Sequence, residues 1–170
     1  MKTPHCNLIA AAAALLAIPL PASRADEALD AQIARGKTVF ATCAACHGMD
    51  GKGLPTNPPM APPLVGSKLA AAPAEVPVAI VLRGIAKTDA KYLNIMAPLG
   101  AAFTDEQLAD VLTYVRNSWG NKAPAVTAGE VKAVRAKYKD TPGSPPRTEY
   151  EKLAESLAKA AGAAAAPAAR

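Results

Sequence analysis

The sequence predicts an all-α fold, and three features of the 170-residue chain lead to this prediction. Residues 105–119 combine an N-terminal capping box with an apolar stripe at helical spacing. Residues 26–43 repeat apolar side chains at steps of three and four, which places them on one helical face. No stretch shows a convincing strand pattern, so we expect a small domain built from helices.

The first 25 residues have the features of a secretory signal peptide. Lys2 precedes an apolar run at residues 8–18, and small side chains stand at Ser23 and Ala25 before an acidic pair. The run has 11 residues, whereas a membrane-spanning helix needs about 20. We therefore expect cleavage after Ala25, export to the periplasm and no membrane span afterwards. An uncleaved membrane anchor is the alternative.

The first helix of the mature chain is predicted over residues 26–43. Its apolar face includes Ile33, Gly36, Phe40 and Cys43. A glycine on such a face costs about 1 kcal/mol of helix propensity relative to alanine and usually permits a close helix crossing. We therefore expect a second helix to cross at Gly36.

The middle of the chain is predicted to be mostly turns. Glycine and proline are so frequent over residues 48–72 that a helix or a central strand is excluded there. A short helix is expected from about Pro77 to Arg83, with Gly84 as its stop. The clearest helix follows at 105–119, where Thr104 opens a capping box.

Residues 123–170 differ in character from the preceding part, and we expect three regions: a signal peptide at 1–25, a main domain at 26–122 and an extension at 123–170. Residues 26–122 are electrically neutral, whereas the extension carries eight basic and five acidic residues. Helices are expected from Thr127, which opens a second capping box, to about Lys139 and over residues 149–161. Large apolar residues are few in both, so weak docking or a flexible tail is predicted, and a chain ending after Lys122 should keep its fold. The mild charge excess does not favour a nucleic-acid partner.

The motif with the strongest functional signal is Cys43-Ala-Ala-Cys46-His47. The pattern Cys-x-x-Cys-His is the attachment motif of c-type haem. Two cysteines three residues apart on a helix can bind the two vinyl groups of one porphyrin, and the adjacent histidine can ligate the iron. A thioredoxin-like dithiol, a zinc site and a structural disulfide are the alternatives. A thioredoxin-like dithiol occurs beside strands, which this sequence does not predict, and a zinc site needs a fourth ligand, which the mature chain lacks.

The second axial ligand of such a haem is predicted to be Met96. His5 leaves with the signal peptide, so His47 is the one histidine of the mature chain. Methionine is the usual partner of histidine in electron-transfer cytochromes. Met49 is too close to His47 to reach the other haem face, and Met60 is expected on the histidine side.

In these motifs the chain resembles a class I c-type cytochrome over residues 26–122. The resemblance rests on Gly36-x-x-x-Phe40, the haem motif, Pro62-Pro-Leu64, Met96-x-Pro98 and the helix that contains Tyr114. It implies the family's all-α fold, in which the N-terminal and C-terminal helices cross beside one covalently bound haem c. It also implies that Pro62 accepts a hydrogen bond from His47, that Leu64 packs on the macrocycle, and that Gly36 and Phe40 meet Val111 and Tyr114.

The resemblance implies one-electron transfer without catalysis. The segments from Tyr114 to Asn121 and from Val126 to Lys132 are similar to cytochrome subunits or partners of bacterial periplasmic dehydrogenases. The expected partners are a dehydrogenase or other oxidoreductase as donor, and another cytochrome or a terminal oxidase as acceptor. A fixed subunit of a larger oxidoreductase is the alternative, and a haem peroxidase or a gas-binding protein is a remoter one.

Overall fold

The computed structural model describes residues 24–88, 91–93 and 95–165, so the predicted signal peptide lies almost entirely outside the described residues. Within them the fold is all-α, as predicted, and one isolated antiparallel bridge joins Ile85 to Met96. The α-helices are α1 (Arg24–Val39), α2 (Ala41–His47), α3 (Lys68–Ala71), α4 (Glu75–Arg83), α5 (Asp105–Asn117), α6 (Ala128–Lys137) and α7 (Arg147–Ala165), and a 3-10 helix covers Gly100–Ala102.

The predicted first helix is divided in two at Phe40. Phe40 keeps helical dihedral angles, with φ −60° and ψ −18°. Its amide donates to the Gly36 carbonyl at 2.9 Å, so α2 continues nearly where α1 stops. The two cysteines and the histidine of the haem motif therefore lie on the short α2, and not at the end of one long helix.

Helices α1 and α5 cross at Gly36, as expected. A Cβ atom at Gly36 would overlap the Asp110 carbonyl and lie 2.7 Å from Tyr114 Cβ. Beside this contact, Arg35 donates two hydrogen bonds to the Asp110 carboxylate, at 2.7 and 2.9 Å. The Phe40 ring lies 5.2 Å from that of Tyr114 between centroids. Only glycine allows the two backbones to approach this closely.

Helix α5 ends at Asn117, two residues before the predicted end. Ser118 is extended, with ψ 160°, and Trp119 has φ +54°, a left-handed conformation that is rare for a large side chain. This turn directs the Trp119 ring onto Phe40, at 5.2 Å between centroids. Trp119 thus joins the aromatic cluster from outside the helix.

Two short elements depart from the sequence prediction. Helix α3 lies within the stretch expected to be turns, and the Ser67 side chain caps it by accepting from the Ala70 amide at 3.3 Å. Helix α4 begins at Glu75 rather than near Pro77, and Pro77 occupies its first turn, where its missing N–H is tolerated. The predicted capping boxes at Thr104 and Thr127 are both present.

The extension packs into the main hydrophobic core, which contradicts the expectation of weak docking. The fully or almost fully buried side chains of the extension, all in one cluster with Phe40 and Leu108, are Val126, Val131, Val134 and Tyr150. The number of large apolar residues in its helices is small, as the sequence indicates. These few are buried so completely, however, that they form part of the core.

Arg116 ties three parts of the fold together from a buried position. It is 3% exposed, and its guanidinium donates to the carbonyls of Ala70, Ala72 and Pro124 at 2.6–2.7 Å. Burial lowers the pKa of this guanidinium, opposed by the charge of Glu130. Helix α5 is thereby joined to α3 and to the start of the extension.

In the described part of the chain, no helix combines the length and apolarity that crossing a membrane requires.

Candidate haem site

Helix α2 brings both thiols of the motif and its histidine to one end of the fold. Cys43 and Cys46 are free thiols, both half-buried, and residues three apart on a helix face the same way. The helix ends at His47, and Gly48 follows with φ +69° and donates to the Ala44 carbonyl at 2.9 Å. Burial raises the pKa of the Cys43 thiol to about 11, so it remains protonated at neutral pH.

The His47 ring is oriented by the Pro62 carbonyl. His47 Nδ1 lies 3.0 Å from Pro62 O, and because a carbonyl can only accept, Nδ1 carries the proton in this bond. Burial lowers the pKa of His47, while the bond to Pro62 opposes this shift. The ring is therefore held as a neutral imidazole with Nε2 available, which is the form that ligates a metal.

The loop after His47 folds back on the motif and carries the Pro62–Leu64 segment with it. The Gly53 amide donates to the His47 carbonyl at 2.7 Å, and the Leu64 amide donates to the Gly51 carbonyl at 2.7 Å. A Cβ at Gly51 would lie 2.7 Å from a ring carbon of Trp119. Leu64 itself is half-buried and packs against the core.

Asn121 fixes the Leu64 segment, and the sequence reasoning did not identify it as a site residue. Its amide nitrogen donates to the carbonyls of Leu64 and Val115, at 3.0 and 2.9 Å, and its side-chain oxygen accepts from the Gly66 amide at 2.8 Å. A glycine–asparagine pair after a helix indicates a turn. It does not indicate a partner 57 residues away.

Met96 lies in the loop between α4 and the 3-10 helix. Its amide donates to the Ile85 carbonyl at 3.2 Å, and the Ile85 amide donates to the Met96 carbonyl at 2.8 Å. Gly84, with φ +73°, allows this approach, since a Cβ there would overlap the Met96 carbonyl and lie 2.8 Å from Pro98 N. The Met96 side chain is half-buried against the core.

The two other methionines among the described residues occupy different surroundings. Met49 is 60% exposed. Met60 is half-buried and lies two residues before Pro62, the residue that contacts His47. Its amide donates to the Leu54 carbonyl at 3.3 Å, within the loop that follows the motif.

These residues fit a covalently attached haem. Two adjacent thiols can form thioether bonds, His47 offers a neutral imidazole nitrogen, and Met96 offers a thioether sulfur. The half-buried apolar residues Ala44 and Leu64 pack against the core, where they can contact an apolar macrocycle. A histidine nitrogen and a methionine sulfur are the usual donor pair of electron-transfer cytochromes.

Comparison with known proteins agrees with this chemistry. The cytochrome c family model matches residues 33–119. The fructose dehydrogenase cytochrome subunit of Gluconobacter japonicus is 35% identical over 109 residues, which cover 60% of this chain and 22% of that protein. The gluconate 2-dehydrogenase cytochrome c subunit of Pantoea cypripedii is 36% identical over 105 residues, covering 59% of this chain and 24% of that protein.

A shorter relative is matched over most of its length. Cytochrome c-552 of Thermus thermophilus is 33% identical over 114 residues, which cover 61% of this chain and 86% of that protein. In the two dehydrogenase subunits, by contrast, the match spans only about a quarter of the length. The chain therefore belongs to the cytochrome c family, and Cys43 and Cys46 fit the attachment site of its haem c.

Proposed function

We propose that the protein is an exported one-electron carrier whose haem c is attached at Cys43 and Cys46 and ligated by His47 and Met96. The observation that carries the proposal is the attachment motif on α2, with the His47 ring held by Pro62 at 3.0 Å. When bound, the haem supplies an Fe(III)/Fe(II) couple. The chain's own residues set the orientation of the imidazole and shield the site from water.

Met96 is the proposed second axial ligand because of where its loop is fixed. The bridge to Ile85 fixes the Met96 backbone at the end of α4, and Met96 is not part of the loop segment that holds Pro62. Met60 belongs to that segment and is expected on the histidine side. A methionine ligand raises the reduction potential and fills the remaining axial position. A filled position leaves no open site for a substrate, which supports a non-catalytic role.

The proposed partners are redox proteins, and the proposed location is the periplasm. The signal-like residues 1–25 and the bacterial relatives support export. The second candidate function is a fixed electron-transfer subunit of a larger oxidoreductase, favoured by relatives that are dehydrogenase subunits. Purification from the native source distinguishes the two, because a fixed subunit co-purifies with its oxidoreductase at a constant ratio and a free carrier does not.

Replacing Met96 with alanine tests the proposed ligand. We expect Met96→Ala to abolish the methionine-to-iron charge-transfer band and to lower the reduction potential strongly, because a thioether stabilises the reduced iron. Absorption spectroscopy and a redox titration measure both effects.

The matched control for this substitution is Met60→Ala, which removes the same side chain from the other half-buried methionine. The band and the potential should stay as in the unsubstituted protein. Loss of the band in the Met60 variant, with an intact band in the Met96 variant, would assign the ligand role to Met60.

A further inference from the structure

The extension contacts the last residue of α4 and the three residues after it at several points. The Tyr150 hydroxyl donates to the Gly84 carbonyl at 2.8 Å, with the Ala79 carbonyl also 3.3 Å away. The Ser144 hydroxyl donates to the Arg83 carbonyl at 2.7 Å. The Ala86 amide donates to the Pro145 carbonyl at 3.0 Å. Three residues of the segment Arg83–Ala86, namely Arg83, Gly84 and Ala86, are therefore hydrogen-bonded to the extension.

The same segment holds the Met96 loop on its other side. Ile85 forms both hydrogen bonds of the bridge to Met96, and Gly84 lies directly against the Met96 carbonyl. An isolated bridge of this kind is marginal by itself, because even a complete two-stranded hairpin is barely stable in water. Other contacts must therefore hold the segment in place. Within α4 the Gly84 amide donates to the Ile80 carbonyl at 2.7 Å, and the extension supplies the contacts described above.

Tyr150 is well suited to act as a permanent contact. It is 1% exposed and belongs to the core cluster, so its ring is fixed by packing. Burial raises the pKa of its hydroxyl to about 12, so the group remains a hydrogen-bond donor at neutral pH. Next to it, Arg83 pairs with Glu149 at 3.3 Å and lies over the Tyr138 ring at 5.0 Å from the centroid.

We propose that Ser144, Pro145 and Tyr150 form a clamp that fixes the segment Arg83–Ala86 and, through its bridge, holds Met96 in place as the axial ligand. The proposal rests on the ligation by Met96 proposed above. In it, Tyr150 acts through Gly84 and Ser144 acts through Arg83. Both are positioning residues, and neither contacts the iron. Through this clamp the extension influences the reduction potential of the site as well as the stability of the fold.

The test uses the full-length holoprotein with Tyr150→Phe and with the double substitution Ser144→Ala, Tyr150→Phe. Each substitution removes hydroxyl hydrogen bonds and leaves the buried ring in place. We expect the amides of Ile85 and Met96 to exchange with solvent about two- to tenfold faster for each hydrogen bond lost, measured by NMR on the reduced protein. In urea, the charge-transfer band should disappear before the helices unfold, and the potential should fall as Met96 dissociates more readily.

The matched control is Tyr138→Phe, which removes a hydroxyl from the same extension. The Tyr138 hydroxyl donates to Glu75 at 2.9 Å, and the Tyr138 ring, which lies over Arg83, remains in the variant. Exchange at Ile85 and Met96 should therefore not change. Equal acceleration at the α1–α5 amides and at Ile85 would show a general loss of stability and would overturn the proposal, as would unchanged exchange at Ile85 and Met96. Amide exchange at Ile85 reports on the clamp even if Met96→Ala shows that Met96 is not the ligand, so the two proposals fail separately.

Discussion

A chain that ends after Ala123 is expected to lose several kcal/mol of its free energy of unfolding. The truncation removes four side chains that are at most 6% exposed: Val126, Val131, Val134 and Tyr150. Burial of a side chain of this kind contributes about 1.5–3 kcal/mol, or roughly 6–12 kcal/mol for the four, part of which the ordering of the segment offsets. The free energy of unfolding of a typical domain is only about 5–15 kcal/mol in total.

The truncation also leaves buried polar groups without partners. The Thr113 hydroxyl exchanges hydrogen bonds with the backbone of Val126, at 2.9 and 3.3 Å, and Arg116 loses its acceptor at Pro124. Each buried group left unsatisfied costs about 1–3 kcal/mol. Urea unfolding followed by circular dichroism measures the loss.

A chain ending after Ala160 is the control for this experiment, because the described side chains beyond that point are exposed. Its unfolding midpoint should match that of the full chain. If the chain ending after Ala123 also kept the full midpoint and the same potential, the extension would be a separate unit, and the boundary predicted at residue 122 would hold.

Gly36→Ala is expected to lower the free energy of unfolding by about 2 kcal/mol or more, as overpacked sites typically do. The added methyl group overlaps the Asp110 carbonyl and lies 2.7 Å from Tyr114 Cβ, so α1 and α5 must move apart. Alanine favours a helix over glycine by about 1 kcal/mol, which opposes the loss only in part. Separation of the helices should also weaken the contacts of Phe40 with Tyr114 and Trp119.

The control for Gly36 is Gly129→Ala in α6. A Cβ at Gly129 has one neighbour within 4 Å, the Thr127 hydroxyl oxygen at 3.9 Å, so the helix preference of alanine acts without a clash. Gly129→Ala should unfold at the same urea concentration as the parent protein or slightly higher. An unchanged midpoint for Gly36→Ala would contradict the close crossing of α1 and α5.

The features that the sequence predicted are those with local signals. The haem motif occupies five consecutive residues, the capping boxes at Thr104 and Thr127 each span four, and both are recognisable without the fold. Gly36 was identified because a glycine interrupts an apolar helical face. The longer helices were also predicted, with errors of one to a few residues at their ends, whereas the division at Phe40 and the short helix α3 were not.

The features that the sequence did not predict depend on partners distant in the chain. Tyr150 looked like one apolar residue in a weak stripe, yet its hydroxyl meets the Gly84 carbonyl 66 residues away. Asn121 was noted in the sequence only as the end of the segment that begins at Tyr114, although its side chain supports the Leu64 segment. Helix α3 has only four residues among prolines and depends on the cap at Ser67. Long-range contacts and isolated caps of this kind produce no periodic pattern in the sequence, so they could not be predicted from it.

The mass of the unfolded protein tests most directly whether the chain carries covalent haem c. The holoprotein, produced in a host that matures c-type cytochromes, is denatured and analysed by intact mass spectrometry, and the peptide containing Cys43 and Cys46 is then isolated. We expect the mass of the mature chain plus one haem, with the haem on that peptide, and no haem in the variant with both cysteines replaced by alanine. A mature chain without added mass, whose pigment extracts freely into acidified acetone, would contradict covalent attachment.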